Sequence, residues 1–129
     1  MIHVFTDGAC SGNPGQAGCA AILIYRDNIK KISENIGMAT NNIAELEAFK
    51  LGLKAIKNKK IPITIYSDSQ YVIGLLTQDW KAKENIELIN NLKCIISEFS
   101  NIKIKKIPGH KNVYFNNLAD KLAKIAINK

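Results

Sequence analysis

The fold is organised around residues 6–15, which read TDGACSGNPG. The apolar residues Ile2, Val4 and Phe5 precede them and predict a strand over residues 2–8, with Asp7 at its end. A compact run of small and turn-forming residues follows. A carboxylate where a strand meets such a loop is well placed to hold a metal ion or a proton. The stretch by itself is equally compatible with a simple turn opened by the Asp-Gly pair.

Hydrophobic patterning predicts four further strands. Residues 19–25 are nearly all apolar, which is typical of a strand buried on both faces. After a turn signal, residues 29–36 alternate and complete a three-stranded antiparallel meander. Residues 63–66 and 102–105 are predicted to form strands that join the sheet through helical crossovers, which makes them parallel.

Helical periodicity predicts helices over 43–57, 69–76, 84–99 and 114–127. In the third of these, a core-facing stripe is expected at Ile86, Ile89, Leu92, Ile96 and Phe99. The element order βββαβααβα predicts an α/β fold, with helices packed on a five-stranded mixed sheet. We expect one domain over residues 1–129.

Bulk properties narrow the function. The 129 residues are 47% hydrophobic and carry a net charge of +7, which favours a polyanionic partner such as nucleic acid. No apolar run could span a membrane, and the N-terminus does not resemble a signal peptide. Three scattered cysteines argue against disulfides and structural zinc, so we expect a cytoplasmic protein.

Four acidic residues lie at element ends or on a core-facing flank: Asp7, Glu45, Asp68 and Asp120. If the first and fourth strands are parallel neighbours, Asp7 and Asp68 come side by side near their C-terminal ends, where ligand sites gather in such sheets. Carboxylates this close repel each other unless cations compensate them. Mg²⁺ suits such a site because it prefers oxygen ligands and accepts substrate phosphates.

Each acid also has a structural interpretation that leaves it without chemistry. Asn42 and Glu45 have the spacing of a capping box. Asp68 could cap the helix that begins at Ser69. Asp120 could pair with Lys124 in an ordinary i, i+4 contact.

Four motifs together resemble a known family. They are TDG at 6–8 with GNPG at 12–15; TNN at 40–42 with Glu45-Leu46; SDSQY at 67–71; and Gly109-His110 with Asn116 and Ala119-Asp120. The sequence resembles type 1 ribonuclease H from about residue 2 to 126. The resemblance implies the ribonuclease H-like fold and an endonuclease that cuts the RNA strand of RNA–DNA hybrids, leaving 5′-phosphate and 3′-hydroxyl ends.

The resemblance also implies residue roles. Asp7, Glu45, Asp68 and Asp120 would bind two Mg²⁺ ions with the substrate, and Mn²⁺ could replace them. His110 would assist proton transfer or product release. The hybrid would be bound by a monomer, and its contacts would come from Cys10, Asn13, Asn41, Asn42, Ser69 and Gln70.

The sequence departs from many bacterial members, which carry a basic, tryptophan-rich protrusion. Here residues 77–83 stand in that place, with Trp80 either as a contact to the DNA strand or as a packing residue. This departure bears on hybrid affinity rather than on the chemistry. Two other functions are alternatives: a related integrase or resolvase domain that acts on DNA, and a silent hybrid-binding module. The Asn41, Asn42 and Gln70 set and the four acids favour ribonuclease H.

Overall fold

A computed structural model describes residues 1–78, 82–107 and 114–128 of the chain. Within these residues the elements follow the predicted order βββαβααβα. The strands are β1 (Ile2–Cys10), β2 (Gly15–Tyr25), β3 (Asn28–Ala39), β4 (Ile63–Ser67) and β5 (Ile102–Lys106). The helices are α1 (Asn41–Lys54), α2 (Gln70–Thr77), α3 (Ile86–Ser97) and α4 (Tyr114–Ala126).

The strands form one mixed sheet in the order β3-β2-β1-β4-β5. β1, β2 and β3 pair antiparallel, whereas β4 is parallel to β1 and β5 is parallel to β4. This confirms the predicted meander and the two parallel strands beside it. Residues 17–23 of β2 are all buried, as the apolar run in the sequence predicted.

The first strand is longer than predicted. Its antiparallel ladder with β2 continues past Asp7, which pairs with Ala20, as far as Cys10. The predicted range of 2–8, with Asp7 at the strand end, was therefore wrong at its C-terminal end. Its parallel pairing with β4, however, stops at Phe5 opposite Tyr66. Asp7 therefore lies inside a strand, just beyond the point where the ladder with β4 ends.

Helices cover both faces of the sheet. Because successive strand residues point to opposite faces, Val4 and Phe5 of β1 face different layers. Val4 lies in the main core with Phe49 and Leu53 of α1 and Leu92 of α3. On the other face the Phe5 ring packs 5.5 Å from the ring of Phe115 in α4.

The starts of α1 and α2 differ from the predictions because of the residues that cap them. α1 begins at Asn41 because the Thr40 hydroxyl accepts from the Ile43 amide at 3.2 Å and caps the helix. α2 is capped by the Ser69 hydroxyl, which accepts from the Val72 amide. The capping interpretations of Glu45 and Asp68 are therefore wrong, and neither carboxylate is occupied by a helix cap.

The stripe predicted for α3 is partly wrong. Ile89 and Leu92 are buried, but Ile86 is 52% exposed because the helix begins at this residue. No helix in the part of the chain that the structure describes is long and apolar enough to cross a membrane.

Candidate active site

Three carboxylates meet at one end of the sheet. Asp7 of β1, Glu45 of α1 and Asp68, directly after β4, each offer an oxygen within 4.8 Å of the others. The parallel register explains why two of them meet, because Phe5 pairs with Tyr66 and two further residues along each strand bring Asp7 level with Asp68. Glu45 approaches from the helix above.

Gly8 allows α1 to come this close to β1. A Cβ atom at Gly8 would lie 2.4 Å from the carbonyl carbon of Ala44 and 2.6 Å from the amide nitrogen of Glu45. No side chain fits in that space, so only glycine lets the first turns of α1 lie directly on the strand. The Gly8 amide then donates to Oε1 of Glu45 and to Oδ1 of Asp7, at 2.5 Å and 3.0 Å.

Burial and mutual repulsion disfavour the charged forms of Asp7 and Glu45, whereas Asp68 is exposed. Asp7 is only 6% exposed, and burial, followed by the neighbouring Glu45, raises the pKa of its carboxyl group far above the usual range. Burial also raises the pKa of Glu45, which is partly offset by hydrogen bonds from Asp7 and the Gly8 amide. The cluster therefore retains a proton near neutral pH unless a cation replaces it.

The fourth acid, Asp120 of α4, approaches from the opposite face of the sheet and is not one of the three acids whose oxygens lie within 4.8 Å of one another. It contributes to raising the pKa of the Asp7 carboxyl group. α4 approaches closely because a Cβ at Gly18 would lie 2.3 Å from the carbonyl oxygen of Ala123. Nζ of Lys124 also lies 3.0 Å from Oδ2 of Asp120, so the i, i+4 pair that the sequence suggested forms as well.

The donor set fits a divalent cation. It consists of carboxylate oxygens, which are the ligands that hard cations such as Mg²⁺ prefer. The raised pKa values show that the negative charges are not balanced by the protein itself, and a cation would relieve their repulsion. Asp7, Glu45 and Asp68 could hold such an ion directly.

Polar residues predicted to contact a substrate surround this end of the sheet. Asn13 and Asn41 are exposed, and the Asn13 side-chain oxygen accepts from the Asn41 amide at 3.0 Å. This bond joins the β1–β2 connection to the start of α1, and it uses the side-chain oxygen of Asn13 rather than its amide group. Asn42 is half-buried in the first turn of α1.

The remaining predicted contacts have protein partners too. The Cys10 thiol donates to the Ala39 carbonyl, and burial raises its pKa. The Ser69 hydroxyl is engaged as the cap of α2. Oε1 of Gln70 accepts from Nζ of Lys106 at 3.0 Å. Sequence reasoning missed both this lysine and the packing role of Gly8, although a glycine inside a strand is a known sign of close backbone approach.

Two residues singled out in the sequence, Trp80 and His110, lie outside the described residues.

A family model described as RNase H matches residues 1–128. The chain belongs to the ribonuclease H family. Ribonuclease H of Thermoanaerobacter sp. strain X514 is 39% identical over 137 aligned positions, which cover 95% of this chain and 87% of that protein. Ribonuclease H of Caldanaerobacter subterraneus subsp. tengcongensis is 38% identical over 143 aligned positions, which cover 100% of this chain and 92% of that protein.

Solved structures agree with this assignment. RNase H1 from the halophilic archaeon Halobacterium salinarum NRC-1 superposes on this ribonuclease H with a TM-score of 0.86 at 30% identity, covering 98% of this chain and 97% of that one. LC11-RNase H1, solved in complex with an RNA/DNA hybrid, has a TM-score of 0.84 at 27% identity and covers 99% and 97%. The protein is thus a ribonuclease H enzyme with the fold of RNase H1.

Proposed function

We propose that this ribonuclease H hydrolyses the RNA strand of RNA–DNA hybrids and leaves 5′-phosphate and 3′-hydroxyl ends. The observation that carries the proposal is the meeting of Asp7, Glu45 and Asp68 within 4.8 Å, in a chain matched by the family model over residues 1–128. The likeness to LC11-RNase H1, which was solved with an RNA/DNA hybrid, supports this choice of substrate.

Asp7, Glu45, Asp68 and Asp120 would hold two Mg²⁺ ions when the substrate is bound, and Mn²⁺ could serve in their place. Bound metal ions would supply an activated water nucleophile and stabilise the leaving 3′-oxygen. The chain's own part is to fix the carboxylates. The Gly8 amide orients Asp7 and Glu45, and the α1 and α4 backbones hold two acids against β1 from opposite faces. His110 would assist proton transfer or product release.

The exposed amides beside the cluster would distinguish RNA from DNA. Asn13 lies in the connection between β1 and β2, Asn41 begins α1 and Gln70 begins α2. All three positions are next to the carboxylates. Amide groups can donate to 2′-hydroxyl oxygens and to minor-groove base edges, a mode of recognition that does not depend on sequence. Cys10, Asn42 and Ser69 would complete this surface.

The net charge and the free cysteines are consistent with a nucleic-acid substrate and a reducing compartment. The net charge of +7 favours binding of a polyanionic duplex. Cys10, Cys19 and Cys94 are free thiols, which suits a reducing compartment, and we propose that the enzyme acts as a monomer in the cytoplasm.

The test is a cleavage assay with end-labelled RNA–DNA hybrid, duplex DNA and duplex RNA in the presence of Mg²⁺. We expect cutting of the hybrid alone, with product ends identified by their reactivity to phosphatase and kinase. Asp7→Asn should abolish cutting, because it removes a charged ligand without changing shape. Asp27→Asn is the matched control, since Asp27 is exposed in the β2–β3 turn.

Other outcomes would point to the alternatives. Cutting or strand transfer on duplex DNA would indicate an integrase-like or resolvase-like enzyme. Binding of the hybrid without cutting would indicate a silent binding module. Near-normal turnover by Asp7→Asn would show that the carboxylate cluster is not the metal site.

A further inference from the structure

Lys106 links the end of the outermost parallel strand to the start of α2. It is the last residue of β5 and pairs with Ser67, the residue before Asp68. Its ammonium group donates to Oε1 of Gln70 at 3.0 Å, and both side chains are exposed. Neighbouring strands lie about 4.8 Å apart, so this contact forms at the same end of the sheet as the carboxylates.

The direction of Lys106 separates it from the other lysines of β5. Side chains alternate along a strand, so Lys103 and Lys105 point to one face while Lys106 points to the other, where Ser67 and α2 lie. Lys106 therefore stands beside Gln70 on the surface that carries the proposed substrate contacts.

The hydrogen bond determines what Gln70 can offer. Its carbonyl oxygen is taken by Lys106, so the Nε2 amide group is left as a donor of two hydrogen bonds. Lys106 has three N–H donors and uses one of them on Gln70. The groups that the two side chains offer to a ligand are therefore hydrogen-bond donors. Such a pair favours a ligand that is rich in hydrogen-bond acceptors.

The charge of Lys106 is also available to a ligand. Within residues 1–78, 82–107 and 114–128, ion pairs join Lys59 to Glu98 and Lys124 to Asp120. Neither includes Lys106, whose bonding partner is a neutral amide. A cation that a neutral group holds in position, and that no carboxylate neutralises, is well suited to bind a phosphate.

We propose that Lys106, which is held beside Gln70, contacts a phosphate of the cleaved RNA strand. Its ammonium group donates to that phosphate, next to the nucleotide that the Gln70 amide contacts under the proposed function. This inference rests on the proposed function. If the carboxylates cut the RNA strand, that strand lies over them and therefore beside Lys106. Every base pair offers acceptors in the minor groove, so the site tolerates any sequence.

The test measures hybrid binding by fluorescence anisotropy in EDTA, over a range of salt concentrations. A phosphate contact releases condensed counterions, so each one contributes about 0.7–0.9 to the slope of log affinity against log salt. Lys106→Gln should weaken binding and lower this slope by about that amount, whereas Lys106→Arg should retain the slope. Gln70→Ala should weaken binding with the slope unchanged, because it removes no charge.

Lys60→Gln is the matched control, because Lys60 is exposed and lies before β4, at the opposite end of that strand from Asp68. A slope for Lys106→Gln that equals the wild-type slope, or one that equals the slope of Lys60→Gln, would overturn the proposed site. Cleavage of the hybrid by the wild-type protein, measured in parallel with Mg²⁺, distinguishes this failure from failure of the proposed function itself.

Discussion

Replacement of Asp7 by asparagine should stabilise the metal-free protein while removing its activity. Asp7 is 6% exposed, and burial together with Glu45 raises its pKa far above the ordinary value of 3.8. Asparagine has nearly the same shape, carries no charge, and has an amide group that can donate to the neighbouring Glu45 carboxylate. The substitution therefore removes the cost of the buried carboxylate and keeps its hydrogen bond.

The size of the effect follows from the pKa difference between the two states. Well below pH 3.8 the carboxyl group is neutral in both the folded and the unfolded protein, so Asp7 costs nothing. As the pH rises, the unfolded chain releases the proton and gains free energy that the folded protein cannot match. The ordinary pKa of 3.8 lies roughly 3.7 units below pH 7.5, and each unit is worth about 1.4 kcal/mol, so the cost at that pH reaches at most ~5 kcal/mol.

The assay is urea denaturation in EDTA, followed by far-ultraviolet circular dichroism near pH 4.5 and pH 7.5. Asp7→Asn should exceed the wild type in free energy of unfolding by about 1–4 kcal/mol at the higher pH and by much less at the lower one. Asp27→Asn, an exposed control, should behave as the wild type at both. An Asp7→Asn protein no more stable than the wild type near pH 7.5 would refute the reasoning, as would an advantage independent of pH.

Three further results are expected. His110→Ala should slow turnover without abolishing it in a hybrid cleavage assay, and complete loss would indicate an indispensable base. Gly8→Ala should lower the free energy of unfolding by roughly 1–3 kcal/mol and reduce cleavage, because its Cβ meets the backbone of α1; unchanged melting would contradict the close contact. Binding of Mg²⁺ should release protons near neutral pH and strengthen as the pH rises, since the proton on Asp7 and Glu45 must leave; calorimetry in two buffers of different ionisation enthalpy measures this release.

The sequence predicted the element order and the meeting of Asp7 with Asp68, because both depend on periodicity and on parallel pairing. The end of β1 was misjudged for a physical reason. Residues 8–10 are small, which is typical of a turn, but their backbone still completes the ladder with β2. The length of a hydrogen-bonded ladder depends on the partner strand, so it cannot be predicted from the local amino-acid composition.

The predicted helix caps failed for a similar reason. Asn42 and Thr40 are both acceptable caps by residue type, and the backbone geometry selects Thr40. The contact between Lys106 and Gln70 joins residues 36 positions apart, so it depends on how β5 and α2 pack rather than on any local pattern. Close approaches at Gly8 and Gly18 likewise require the positions of α1 and α4 on the sheet.

The most direct test of the carboxylate cluster is calorimetric titration of Mg²⁺ into the wild-type protein, Asp68→Asn and Asp27→Asn. We expect the wild type and Asp27→Asn to bind with the same affinity and Asp68→Asn to bind at least about tenfold more weakly, a difference of about 1.4 kcal/mol. Equal affinity of all three proteins, or no binding by the wild type, would contradict the assignment of Asp7, Glu45 and Asp68 as the metal site.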